Sequence, residues 1–147
     1  MIINNRYKFV YLHVPKTAGT TISTVLHEMS GPTDIDLGGI LNNKAKTLNT
    51  LWQDEWGLSK HSPLRQVREA VSPEVWQGYF SFAFVRNPFA RAYSAFRFAK
   101  KMGVVAEKLK GMSFHDYLRS ELFEKRVLGG SGSQVDFLHP ISELSML

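Results

Sequence analysis

The chain has 147 residues, 44% hydrophobic and 21% charged, with no cysteine and a formal charge of +5. That length buries most of a single hydrophobic core, and the composition excludes wholesale disorder, a fibrous repeat, a disulfide framework and thiolate nucleophiles or metal sites. The charge is uneven. No acid occurs between Val75 and Ala106, while Arg86, Arg91, Arg97, Lys100 and Lys101 fall there, which suits either a solvated helix face or a field for an anionic ligand.

In chain order, residues 1–6 run straight into a strand-like segment and leave no room for a secretory leader, and no apolar run nears the roughly 20 residues that span a bilayer. A cytoplasmic protein is therefore expected. Residues 7–14, YKFVYLHV, are aromatic and β-branched and predict a buried strand that Pro15 punctuates. A short loop to Gly19 follows. Ile22, Val25, Leu26 and Met29 then recur at helical spacing up to the Ser30-Gly31-Pro32 stop.

Residues 33–60 show no period, and Trp52 and Trp56 suggest only a short helical turn. Ser62-Pro63 and Ser72-Pro73 each place a capping residue before a proline, and each predicts a helix start. Residues 79–85, YFSFAFV, predict a second strand, and Asn87-Pro88 opens a helix with Phe89, Tyr93, Phe96 and Ala99 as its apolar stripe. A further helix is expected over residues 114–127, then a mobile glycine-serine loop over 129–133, then residues 134–138 leading to a polar end. Two strand-loop-helix units predict an α/β fold with a mainly parallel sheet, whose phosphate sites lie at the strand carboxyl ends.

The loop before the first helix is a candidate anion site, because helix-start N–H groups and the positive end of the dipole converge there. Lys16 adds a charge, Thr17, Thr20 and Thr21 add hydroxyls, and Gly19 admits a close backbone approach. The competing interpretation makes Thr20 an ordinary cap and Lys16 a solvated surface residue. A Walker loop is excluded, since the chain has no Gly-Lys dipeptide. The dinucleotide fingerprint fails as well, because Val135 stands where a third glycine is needed after Gly130 and Gly132. The five histidines have no metal-ligand spacing, and no structural or catalytic metal is expected.

Residues 9–22, FVYLHVPKTAGTTI, and residues 84–96, FVRNPFARAYSAF, taken together, resemble the two nucleotide-binding motifs of the sulfotransferases that use 3′-phosphoadenosine 5′-phosphosulfate (PAPS), in their carbohydrate and bacterial branches. The resemblance implies a three-layer α/β domain over residues 1–147 with a P-loop-like strand-loop-helix phosphate site. It implies that Lys16 and residues Thr17, Ala18, Gly19, Thr20 and Thr21 hold the 5′-phosphosulfate, while Arg86 and Ser94 hold the 3′-phosphate. It makes His61, in the segment KHSPLRQVR, the general base that faces a hydroxyl acceptor, most simply a glycan. Imidazole titrates near working pH, and a hydroxyl is a poor nucleophile until its proton is taken. Weaker similarity runs on to residue 138, and family domains continue further, so a truncated domain that binds nucleotide without turnover stays open beside the enzyme. A nucleotide kinase would need a carboxylate near Lys16, which the sequence lacks, and nucleic-acid binding through the basic helix is the remaining rival. Neither nucleic acid nor stable membrane insertion is expected.

Overall fold

The computed structural model describes residues 1–38, 51, 53–124 and 133–139. The chain divides into two compact units: Met1–Val14, Ala18–Phe84 and Gln134–Leu147 form one, and Pro15–Thr17 with Val85–Ser133 form the other.

The first unit holds a four-stranded sheet in the order β3-β1-β2-β4, with β1 at Ile2–Asn4, β2 at Phe9–Leu12, β3 at Ile35–Asp36 and β4 at Phe80–Ala83. β1 pairs antiparallel with both β2 and β3, and β2 pairs parallel with β4, Leu12 lying opposite Ala83. The sheet is thus mixed rather than mainly parallel. The reason is local: four residues link β1 to β2, and a parallel pair needs a crossover of a dozen or more. Strand periodicity of two splits the side chains between faces. Ile3, Val10 and Leu12 join Met1, Ile35, Leu37, Leu58 and Val67 in one buried cluster, while Ile2, Phe9 and Tyr11 form another.

Helix α1, Gly19–His27, lays Ile22 and Leu26 on the Ile2-Phe9-Tyr11 cluster. The expected stripe is only half used, since Val25 and Met29 are exposed. On the other face, α2 (Leu64–Ala70) contributes Val67, with Leu64 and Ala70 packed against the cluster. Val75 of α3 (Pro73–Gly78) and Leu138 of the carboxy-terminal helix join them. Ser72 caps α3 as expected, accepting from the Val75 amide. Pro63 rather than Ser62 is the N-cap of α2, and the Ser62 hydroxyl instead accepts from the Ser59 amide at 2.8 Å. Residues 53–56 make the short helical turn expected near the tryptophans.

The second unit is built on α4, Pro88–Ala99, whose N-cap Asn87 accepts from the amides of Phe89 and Ala90. Its buried face is Ala92, Ala95, Phe96 and Ala99 with Arg91, so Phe96 and Ala99 of the expected stripe are inside while Phe89 and Tyr93 are exposed. Phe96, Ala99, Leu109 and Tyr117 form this unit's core. Leu109 follows α5 (Gly103–Lys108), which the sequence did not announce. The expected 114–127 helix is divided into α6, Phe114–Leu118, and α7, Glu121–Glu124; residues 125–127 lie outside the described residues. So do residues 129–132 of the glycine-serine loop, which precedes α8, Gln134–Leu138. Among the described residues, no helix is long and apolar enough to cross a membrane.

Candidate active site

The loop after β2 departs from ordinary backbone geometry. Lys16 and Ala18 both take left-handed conformations, at φ 66° and 65°, a cost that non-glycine residues meet mainly in tight or functional turns. Ala18 is the N-cap of α1 and offers no side-chain hydrogen bond to the helix, and no acid stands in the first turn. The interpretation of Thr20 as a cap therefore fails. Thr20 and Thr21 are exposed at the helix start, Thr17 is buried, and the amides of the first turn have no capping side chain. That end of α1 retains the anion-attracting character expected of it.

Gly19 has a packing role beside the one its sequence suggested. A methyl group built on it would fall inside the imidazole of His13. The absence of a side chain is required by the protein's own packing, whatever approaches from outside. His13 is 4% exposed, and burial together with the nearby amino terminus, His61 and Lys60 pushes its pKa down to about 3, so it is neutral near pH 7. Its backbone carbonyl accepts from His61 Nδ1 at 2.9 Å, and the two rings meet edge to face with centroids 4.7 Å apart. Since a carbonyl only accepts, neutral His61 carries its proton on Nδ1 and its basic lone pair on Nε2. His61 is exposed. Within the first unit, then, His13 brings the start of α1 and the candidate base into one arrangement.

In the second unit α4 organises the cations. Arg91, 3% exposed, donates from Nε to the Pro15 carbonyl at 2.9 Å and pins the start of the Lys16 loop to the helix. The Lys16 ammonium sits 3.9 Å from the centroid of the Phe98 ring. Its pKa is lowered, first by burial and then by the charge of Arg86. Arg86 and Ser94 line an open cleft of about 360 Å³ with Tyr93, Arg97, Phe98 and Lys101. Not one of these lining residues is acidic. The two residues expected to hold a 3′-phosphate thus share a cleft, and the expected lysine touches a ring of its wall.

Sequence comparison decides the lineage. The family model described as the sulfotransferase family matches residues 1–129. This chain belongs to the sulfotransferase family. Among curated proteins it is 31% identical over 107 residues to carbohydrate sulfotransferase 14 of Mus musculus, covering 73% of this chain and 24% of that protein. Its counterpart in Danio rerio is 28% identical over 98 residues, covering 66% of this chain and 23% of that protein. The chain therefore spans about a quarter of the length of the relatives it matches. No solved structure gives a significant match.

Two features of this sulfotransferase chain went unassigned in the sequence. Arg97 and Lys101 looked like members of a charged face; the spacing of Arg97, three from Ser94, was the signal that it shares that side of α4, while Lys101 stands in the turn after the helix and still lines the cleft. Arg91 looked similarly solvated, and nothing in its spacing announced a buried tie to Pro15.

Proposed function

We propose that the chain transfers the sulfuryl group of PAPS to a hydroxyl of a carbohydrate acceptor. What supports the reading most directly is that one helix of a sulfotransferase-family chain gathers Arg86 and Ser94 into an acid-free cleft and holds Lys16 at its wall. The reading takes residues 1–147 as parts of one α/β sulfotransferase domain with three layers and a P-loop-like phosphate site. Lys16 and the backbone amides of Thr17, Ala18, Gly19, Thr20 and Thr21 hold the 5′-phosphosulfate. Arg86 and Ser94 hold the 3′-phosphate, with guanidinium geometry suited to a phosphate's paired oxygens.

Sulfuryl transfer resembles in-line phosphoryl transfer in needing positioned charge around a loose transition state more than covalent help. The acceptor oxygen bonds to sulfur as the bond from sulfur to the bridging phosphate oxygen breaks. Lys16 neutralises the charge that grows on that oxygen, and Nε2 of His61 takes the acceptor's proton. The products are the sulfate ester and adenosine 3′,5′-bisphosphate. The hydrogen bond from His61 to the His13 carbonyl fixes the tautomer this role requires, and a neutral His13 adds no second charge beside it.

Transfer of radiolabelled sulfate from PAPS to a panel of glycans tests the reading. Lys16→Ala is expected to abolish transfer and to weaken binding of adenosine 3′,5′-bisphosphate by about tenfold or more. His61→Ala is expected to lower transfer by about 10²- to 10⁴-fold with little loss of nucleotide binding. Equal losses of binding in the two variants would remove His61 from the base role. The second reading is a nucleotide-binding module without turnover. Nucleotide binding by the unaltered chain with no transfer to any acceptor would select it.

A further inference from the structure

We infer that Phe98 is a positioning residue for Lys16, its ring holding the lysine ammonium against α4 before any donor arrives. The inference rests on the reading of Lys16 as the donor-binding lysine. Lysine is a compact charge on a flexible four-carbon stem, so by itself the side chain samples many rotamers and must be ordered when it binds an anion. Here the Nζ lies 3.9 Å from the Phe98 centroid, within the range where the ring's negative face attracts a cation. The contact also offsets two penalties that act on this ammonium, partial burial and the like charge of Arg86.

Among the described residues, Phe98 is not part of this unit's buried core cluster. It is 44% exposed and is not among the buried residues of α4, which are Arg91, Ala92, Ala95, Phe96 and Ala99. Arg91, Ser94 and Phe98 lie at i, i+3 and i+7, one above the other on the helix. The first ties the Pro15 carbonyl, the second lines the cleft, and the third lines the cleft and holds Lys16. The backbone next to Lys16 and the tip of its side chain are therefore both set by the helix that carries Ser94. One rigid element couples recognition of the far end of the nucleotide to placement of the cation at the reacting end.

The test uses the full chain with lysines reductively dimethylated with ¹³C, the Lys16 signal being assigned with Lys16→Arg. In the unaltered protein the Lys16 methyl resonances are expected to be shifted upfield by the ring. Phe98→Trp should keep a ring shift, and Phe98→Leu, which retains apolar volume without a π face, should lose it. Titration with adenosine 3′,5′-bisphosphate should show affinity about 3- to 20-fold weaker in Phe98→Leu, largely restored in Phe98→Trp, with no additional loss when Phe98→Leu is combined with Lys16→Ala. Unchanged affinity in Phe98→Leu alongside a clear loss in Lys16→Ala would overturn the inference and leave the donor reading standing. A full additional loss in the double variant would overturn it too, since Phe98 would then act independently of Lys16. Failure of the unaltered chain to bind nucleotide, with the ring shift present, would overturn the donor reading and with it the function given to the contact.

Discussion

At the scale of single residues, Gly19 and His13 limit one another. Gly19→Ala places a methyl within the His13 imidazole, so either the first turn of α1 or the ring must move. The expected cost is about 1–3 kcal/mol of stability, as for other overpacked sites, measurable by urea unfolding. His13 also makes stability depend on pH. Its folded pKa, about 3, lies below the ordinary value near 6.5, so the unfolded chain binds the extra proton between those values. Stability contributed by His13 is complete above pH 6.5 and is lost as pH falls toward 3. Between pH 7 and 4.5 the loss should be about 2–3 kcal/mol, and His13→Gln, compared by its own denaturation curves, should show a shallower decline. Neither behaviour was legible in the sequence, where His13 is one strand residue among eight and Gly19 one loop glycine. Both depend on a ring and a backbone separated by six residues meeting in three dimensions.

At the scale of elements, local chemistry announced helix starts better than helix faces. Asn87-Pro88 and Ser72-Pro73 foretold the caps of α4 and α3, because a capping oxygen and a proline act on their own few residues. Asn87→Ala should cost about 1 kcal/mol, seen as a lowered melting temperature without a change in the slope of denaturant unfolding. Of the stripe expected on α4, Phe96 and Ala99 are buried and Phe89 and Tyr93 are not, because ring size does not decide burial. Phe89 is exposed while the alanines at 92, 95 and 99 are inside, since which face is covered depends on the neighbours and not on the helix alone. β1 was missed for a related reason: the segment Ile2-Ile-Asn4 is too short to show alternation, and only its pairing with β2 and β3 makes it a strand. Arg91 shows the strongest coupling between elements. Arg91→Leu strands a buried carbonyl at Pro15 and frees the Lys16 loop, so nucleotide affinity should fall together with stability, by about 1–3 kcal/mol in the latter.

At the scale of the whole molecule, the acid-free stretch of 32 residues between Glu74 and Glu107 was the first clue to a polyanionic ligand, and Arg86, Arg97 and Lys101 share one cleft from that stretch. The two motifs were legible because each is a contiguous strand-loop-helix signature. The contributions of Phe98 and Arg97 were not, since they depend on which side of α4 faces Lys16, and that of Lys101 depends on the turn after the helix. Several clustered cations imply that affinity for a multiply charged nucleotide falls steeply between 50 and 200 mM salt, by about an order of magnitude or more. The most direct test of the central claim, a donor site built on Lys16, Arg86 and Ser94, is calorimetric titration with adenosine 3′,5′-bisphosphate beside adenosine 5′-monophosphate. The bisphosphate is expected to bind about 10- to 100-fold more tightly, and that preference is expected to vanish in Arg86→Gln combined with Ser94→Ala. Equal affinity for the two nucleotides in the unaltered chain, or a preference that survives the double substitution, would contradict it.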